Sequence, residues 1–257
     1  MSSNNPGYVP PCALKEIALK AQVYKRHIYE MIRPEVGIRL LDLGCGPGLD
    51  MEFYKKIVGN KGLAIGLDND GDMIRRASNQ STLPNICFTV GDAQSAPFRS
   101  GCFDACVADR LLQHVDDPAQ VIREILRITA RGGQIIAADA DWCSLSIDIP
   151  DYELERRFVN GLFKVIKNGS SGRQLKRLFS ENGITIATVD VYPIVWHSYG
   201  IFKQTSLSIS DIENKLIETV FFSENDLLHV QTSMKQSEEL RLFFATANVI
   251  VVSGIKN

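Results

Sequence analysis

Between residues 38 and 138 the chain alternates short apolar runs with amphipathic stretches, and few architectures accept that rhythm. Residues 38–43, 63–67, 86–90, 103–108 and 134–138 are rich in Ile, Leu, Val, Ala and Phe and read as buried strands. Between them, residues 51–58, 71–78 and 118–128 place apolar side chains at helical spacing, as at Val121, Ile122, Ile125 and Leu126. Strands that alternate with helices are joined by crossovers, so they lie parallel with helices on both faces. An α/β, doubly wound sheet is therefore expected.

The flanking regions follow other rules. Residues 1–11 look frayed, and residues 12–33 form a helix (Leu14, Ile17, Ala18, Val23, Ile28, Met31, Ile32) that Pro34 and Gly37 end. After Asp139 the rhythm changes: 141–172 reads as less regular and ends in the run Asn168-Gly169-Ser170-Ser171-Gly172. Residues 175–179 are helical, 184–196 form a strand rich in β-branched residues, 197–241 are mostly helical, and 243–252 are apolar and β-prone. This predicts a helical segment over 1–37 and one domain over 38–257, interrupted by insertions near 141–172 and 197–241. Insertions of that length usually cover something.

Composition narrows the function. Hydrophobic residues make up 45% and charged residues 23% of the 257, as in an ordinary globule. A net charge of −2 lacks the basic excess of a protein that grips phosphate backbones. No run of about 18 apolar residues suggests a membrane span. The first ten residues show no secretory pattern, so a cytoplasmic location is expected. The six cysteines, Cys12, Cys45, Cys87, Cys102, Cys106 and Cys143, are scattered without zinc spacing and read as buried apolar residues in a reducing compartment. No metal site is expected.

The chemistry concentrates in Leu40-Leu41-Asp42-Leu43-Gly44-Cys45-Gly46-Pro47-Gly48, a buried strand running into three alternating glycines. Glycine tolerates positive φ and lets a ligand approach the backbone, and the next helix offers free N–H groups at its start. A nicotinamide-dinucleotide fingerprint would need a third glycine at position 49, which is Leu. Asp42, just before the first glycine, suits a cationic ligand better than a pyrophosphate. This pattern resembles motif I of the class I S-adenosylmethionine-dependent methyltransferases.

Further segments carry the resemblance in order. Ala64-Ile65-Gly66-Leu67-Asp68 ends the second strand with an acid, where that family binds the ribose hydroxyls; a carboxylate can accept from both. Gly91-Asp92-Ala93 follows the third strand, where the family sets an acid against the adenine amino group. Residues 103–109 resemble the fourth strand and its motif, and Arg131-Gly132-Gly133-Gln134 the turn into the fifth, with Ala130-Arg131 in place of the usual basic-Pro pair. Leu111-Leu112-Gln113-His114-Val115-Asp116-Asp117-Pro118 is typical of the group that includes the ubiquinone and menaquinone methyltransferases. The resemblance covers about residues 38–140 and the two last strands. It implies a Rossmann-like, seven-stranded sheet, mostly parallel with an antiparallel last strand, and helical cap insertions.

It also implies S-adenosylmethionine as cofactor, held by Asp42, Gly44, Cys45, Gly46, Asp68, Asn69, Met73, Asp92, Ala93, Asp109 and Arg110. Several of these have plainer readings: Asp68 as the cap of the next helix, Asp92 as a turn residue, Met73 as packing, Asp109 and Arg110 as a self-satisfied ion pair. His114, placed near the sulfonium methyl, is either a general base or a residue that fixes its loop. Asp139, Asp141 and Trp142 end the fifth strand, Trp142 as a stacking surface or as core. His197 and Tyr199 are secondary acid–base candidates, His27 and His229 read as helix surface, and Arg173 as a lid or helix-start residue.

Methyl transfer from a sulfonium is an in-line displacement, so alignment and exclusion of water suffice without a catalytic dyad. Phe163, Val165, Ile166, Ile212, Leu216, Phe221, Phe222 and Leu227 suggest apolar faces and a medium-sized, partly apolar organic acceptor. The Asn-Pro-Pro signature of many amino-methylating nucleic-acid enzymes is absent after the fourth strand, where Asp109-Arg110-Leu111-Leu112 stands. A small-molecule substrate is thus expected, with no nucleic acid or membrane partner. Peptide, protein or RNA methylation, and a non-methylating role on the same fold, are the alternatives. The acceptor and the oligomeric state are not legible.

Overall fold

The computed structural model describes residues 11–33, 35–80, 84–205, 215–217 and 222–257, and within these the side chains from residue 21 onward other than those of 204 and 205. The expected fraying of residues 1–11 and the positions Ile212 and Phe221 lie outside what is described. The elements run α1 (Pro11–Met31), β1 (Arg39–Leu43), α2 (Met51–Val58), β2 (Leu63–Asp68), α3 (Gly71–Gln80), β3 (Ile86–Val90), β4 (Phe103–Asp109), α4 (Pro118–Ile128) and β5 (Thr129–Ile147). They continue as α5 (Tyr152–Val165), α6 (Ser171–Glu181), β6 (Thr185–Trp196), α7 (Tyr199–Thr205), α8 (Glu224–Glu239) and β7 (Ala245–Ile255).

The strands form a seven-stranded sheet in the order β3-β2-β1-β4-β5-β7-β6. β1 lies parallel between β2 and β4, with Leu40 opposite Ala64 on one side and Ala105 on the other. β7 is antiparallel to β5, since Lys256 N–H donates to Gly133 while Asp148 N–H donates to Phe244 at the other end. This is the expected fold. The order reverses between β1 and β4, and the crevice at such a switch point is where open α/β sheets bind ligands.

The chain divides into two compact units. One comprises Val23–Asp139, Ser171–Val191 and Ile250–Asn257; the other comprises Ala140–Ser170, Tyr192–Val249 and α1 as far as Gln22. In the first, Leu41, Leu43, Leu67, Cys106, Val121, Ile122, Ile125, Ile135, Leu175, Phe179 and Val252 share one apolar core. α4 presents Val121, Ile122, Ile125 and Ile128 on a single face, and Asp117 caps its start by accepting from Gln120 N–H at 3.0 Å. The thiol of Cys106 is buried there, which pushes it up to about 12, as expected of a structural cysteine. Cys87 differs: it is exposed on the edge strand β3, because an edge strand leaves one flank uncovered.

The second unit corrects two expectations. β5 does not stop at residue 138 but continues to Ile147, and 152–165 is a helix, so 141–172 is more regular than expected. Ala140, Trp142, Leu145 and Ile147 of the strand enter this unit's core, and the acids Asp139 and Asp141 interrupt in the sequence a run that is buried throughout 135–142. Trp142 belongs to this unit's core, together with Ile166, Leu216, Phe222 and Leu227, with Val165 packed against them. Those side chains are spent on internal packing, which also accounts for the apolar stripe read as inward-facing.

α8 begins with a reciprocal cap in which Ser223 accepts from Asp226 N–H while Asp226 accepts from Ser223 N–H. Arg157 of α5 donates to Asp226 at 2.7 Å. Hydrogen bonds from Arg157 and Ser223 hold the Asp226 carboxyl down, at about 2. A depressed folded value means stability that is complete above the unfolded value of about 4 and is lost as pH falls through the folded one. The wild-type melting temperature is expected to drop between about pH 4 and about pH 2 more steeply than that of Asp226→Asn. Parallel profiles for the two proteins would remove this link.

Candidate functional site

The turn after β1 is built by its glycines. Gly44, Gly46 and Gly48 all have positive φ, of 77°, 52° and 76°, a region that costs a side-chain-bearing residue strain. The N–H groups of Gly44 and Cys45 both donate to the Leu67 carbonyl on β2, at 2.8 and 3.0 Å, which fixes the turn against the neighbouring strand. A Cβ at Gly46 would meet nothing within 4 Å, so the backbone there faces open space. Cys45 is buried and its Sγ packs over Gly66, where a side chain would collide with it. Burial raises that thiol, so Cys45 serves as packing.

Asp68, at the end of β2, accepts from Gly46 N–H at 2.8 Å and from Asp70 N–H at 2.9 Å. The cap of α3 is Asp70 instead, which accepts from Asp72 and Met73 N–H. Asp68 is therefore not occupied by capping. With the Asn69 N–H also acting on it, the carboxylate still has acceptor capacity left out of about four sites. Burial is the main cause that raises the Asp68 carboxyl above its ordinary value. Asn69 is exposed, Met73 is buried on α3, and Ala93 is buried. Asp92 is exposed and accepts from Gln94 N–H at 2.8 Å in a local turn.

At the end of β4, Asp109 is buried and Arg110 adopts a positive φ of 53°. Arg110 N–H donates to Ala138 on β5 at 2.7 Å, while its buried Nε has no hydrogen-bond partner among the described residues and lies 3.8 Å from Asp109. A non-glycine residue held in that region is a common mark of a functional site. The two residues are thus not a closed pair.

Four carboxylates, Asp42, Asp50, Asp68 and Asp109, act on one another around the glycine turn. Burial first, and then the Asp50 charge, push the Asp42 carboxyl well up, with Lys25 opposing. At Asp50 burial also disfavours the charge, but Lys25 and the Tyr29 hydroxyl outweigh it and hold the carboxyl below its usual range. Lys25, Tyr24 and Tyr29 lie on α1, and none of them, nor Asp50, was legible as a site residue. A signal did exist: Lys25 shares a helix face with Ala21, Ile28 and Ile32, all buried, where a solvated lysine has no place.

The loop after β4 carries the remaining candidates. Asp139 accepts from Gln113 N–H at 3.1 Å, and His114 N–H donates to Leu111 at 3.0 Å, so the loop is held by its backbone. The His114 side chain is exposed. In the other unit, Asp141 is buried, His197 is exposed with its ring 6.0 Å from that of Phe244, and Tyr199 is buried in the core. His27 is half-buried, 3.3 Å from Asp190, rather than a free surface residue, while His229 and Arg173 are exposed. Among the described residues no cluster of His, Cys, Asp and Glu has the arrangement to hold a metal ion, and no helix is long and apolar enough to cross a membrane.

Known proteins share these features. Residues 41–137 match the methyltransferase domain family. The chain is 37% identical over 171 residues to an uncharacterised 37.1 kDa protein in transposon TN4556 of Streptomyces fradiae, covering 66% of this chain and 50% of that protein. It is 27% identical over 143 residues to the demethylmenaquinone methyltransferase of Staphylococcus epidermidis, covering 55% and 59%. The chain thus spans about half the length of these curated relatives. The YcgJ protein of Bacillus subtilis has the same fold, with a TM-score of 0.64, 19% identity, and coverage of 90% and 97%. Residues 41–137 thus match a methyltransferase domain, and the motif order and fold agree with the class I S-adenosylmethionine-dependent methyltransferases that the sequence resembles.

Proposed function

We propose that the chain, through this methyltransferase domain, transfers a methyl group from S-adenosylmethionine to a small organic acceptor. The observation that carries the reading is the clustering of acids around the glycine turn: Asp42, Asp50, Asp68 and Asp109 lie close enough to act on one another, with Lys25 paired to Asp50 and Asp109. A buried site with an acidic excess favours a positively charged ligand, and it disfavours the pyrophosphate of a dinucleotide. The cofactor supplies a methyl carbon already activated by positive sulfur, which leaves with its bonding pair retained as a neutral thioether.

The residues present fit that group. Asp68 has acceptor directions left over for two vicinal hydroxyls, and the open space at Gly46 lets a ligand lie against the backbone. Met73, Asn69, Asp92 and Ala93 are assigned to the base, Met73 and Ala93 by apolar contact and the other two by polar contact. Gly44, Cys45, Asp42, Asp109 and Arg110 are assigned to the amino-acid end. The unpartnered Arg110 Nε suits a carboxylate, and the buried acids suit an ammonium. The chain's task is to orient the acceptor's lone pair on the methyl carbon and exclude water. Where the acceptor is a hydroxyl, His114 is the side chain assigned to take its proton. The similarity to a quinone methyltransferase supports a partly apolar small-molecule acceptor.

Incubation with methyl-labelled S-adenosylmethionine and a cell extract tests this directly. Label blocked by S-adenosylhomocysteine is expected in the small-molecule fraction. Label in RNA or protein instead would overturn the acceptor class, and binding of NADH without S-adenosylhomocysteine would overturn the cofactor.

A further inference from the structure

We propose that Lys25, carried in by α1, is a positioning residue that clamps the carboxylates of Asp50 and Asp109 together beside the glycine turn and so shapes the site for the cofactor's amino-acid end. This rests on the cofactor reading above. Asp50 lies on the loop just after Gly48 and Asp109 ends β4, so the two belong to different walls of the site. Lys25 Nζ pairs with Asp50 and, at 3.0 Å, with Asp109. α1 gives each carboxylate a second donor as well: the Tyr24 hydroxyl donates to Asp109 at 3.1 Å and the Tyr29 hydroxyl to Asp50 at 2.8 Å. The Tyr29 ring in turn stacks on Phe53 of α2, with centroids 4.5 Å apart. Three side chains of one helix thus tie the glycine loop to the end of β4.

The choice of lysine is informative. An ammonium that is only 5% exposed has lost most of its hydration, and a well-packed apolar residue in such a place is often at least as stabilising. Stability alone therefore does not call for a cation at this position. Geometry does: two buried carboxylates without a cation between them repel, and the loop that carries one of them would swing away. With Lys25 in place the two carboxylates are held side by side, as acceptors for a ligand ammonium. α1 then belongs to the site and is more than a helix leading into the domain.

The test measures S-adenosylhomocysteine binding by calorimetry on the full chain at several pH values from about 5.5 to about 8. Asp50 is faced by Lys25, Tyr24 and Tyr29 from α1, Asp42 from β1, Cys45 from the turn, Tyr54 from α2, and Arg110 at the end of β4, with Asp109 across the shared Lys25. In Lys25→Met the remaining neighbours are dominated by burial and carboxylates, so Asp50 takes up a proton as pH falls. Wild-type affinity is expected to stay nearly flat, while Lys25→Met binds about tenfold more weakly at the upper pH and loses further affinity toward the lower one. Lys25→Arg is expected to restore the flat profile. Should Lys25→Met not fold, Tyr29→Phe removes one donor to Asp50 and is expected to weaken binding about threefold, with the same slope at low pH. A folded Lys25→Met, or failing that Tyr29→Phe, with wild-type affinity and a flat profile overturns this inference alone. A wild type that does not bind S-adenosylhomocysteine overturns the cofactor reading and this inference with it.

Discussion

Replacing Phe179 with alanine is expected to destabilise the unit that holds the glycine turn by about 3–5 kcal/mol, the usual cost of emptying a buried aromatic site. Phe179 lies on α6, is fully buried, and shares the core with Leu175, Leu178, Ile184 and Val252. Its backbone carbonyl accepts from Ile184 N–H at 3.0 Å, which fixes the turn between α6 and β6. On β7, Gly254 leaves room for it: a Cβ there would lie 3.3 Å from the Phe179 ring and closer still to Ile184. Because α6, β6 and β7 converge on this ring, the surroundings have little freedom to collapse into the void, and the upper part of the range is expected. Urea unfolding of that unit's transition reads the loss. A change below about 1 kcal/mol would mean that the core re-packs. S-adenosylhomocysteine affinity of the folded variant is expected to stay unchanged, since Phe179 serves packing and is assigned no contact with the cofactor.

What the sequence reveals depends on how local each signal is. The bounds of α2, β3 and α4 coincide with the expected ones because each is set by its own residues: the apolar face of α4 and the Asp117-Pro118 start need nothing from elsewhere in the chain. β1, β2 and β4 differ from the reading by a residue at one end, where a strand's last pairing depends on its neighbour. β5 escaped because its second half is held by antiparallel β7, about a hundred residues away in sequence, and because the buried acids Asp139 and Asp141 interrupt an otherwise apolar buried run. The glycine turn and Asp68 were legible since their backbone demands are written in residue type. The α1 contribution was not: the apolar face around Lys25 marks the residue but not its partners, and Lys25 and Tyr29 meet Asp50 only in three dimensions.

Asp68→Ala is expected to weaken S-adenosylhomocysteine binding by about 1–3 kcal/mol, or about five- to 150-fold, the range for losing hydrogen bonds to a charged acceptor. Two losses combine in that figure. The acceptor assigned to the ribose hydroxyls disappears, and the N–H groups of Gly46 and Asp70 lose their partner, so the glycine turn is no longer tied to the end of β2 through this side chain. Asp68→Asn separates them. Its amide oxygen still accepts from a backbone N–H, so the turn is expected to keep its shape, but its NH2 group donates where a carboxylate oxygen accepts. The asparagine variant keeps one of the two backbone bonds, so it should lose less melting temperature than the alanine variant and still lose affinity, by less than the alanine variant. The Gly44 and Cys45 bonds to Leu67 do not involve the Asp68 side chain, so the turn survives in both variants and the comparison stays interpretable. Unchanged affinity in a folded Asp68→Ala protein would remove the ribose assignment and, with it, the part that the end of β2 plays in holding the cofactor.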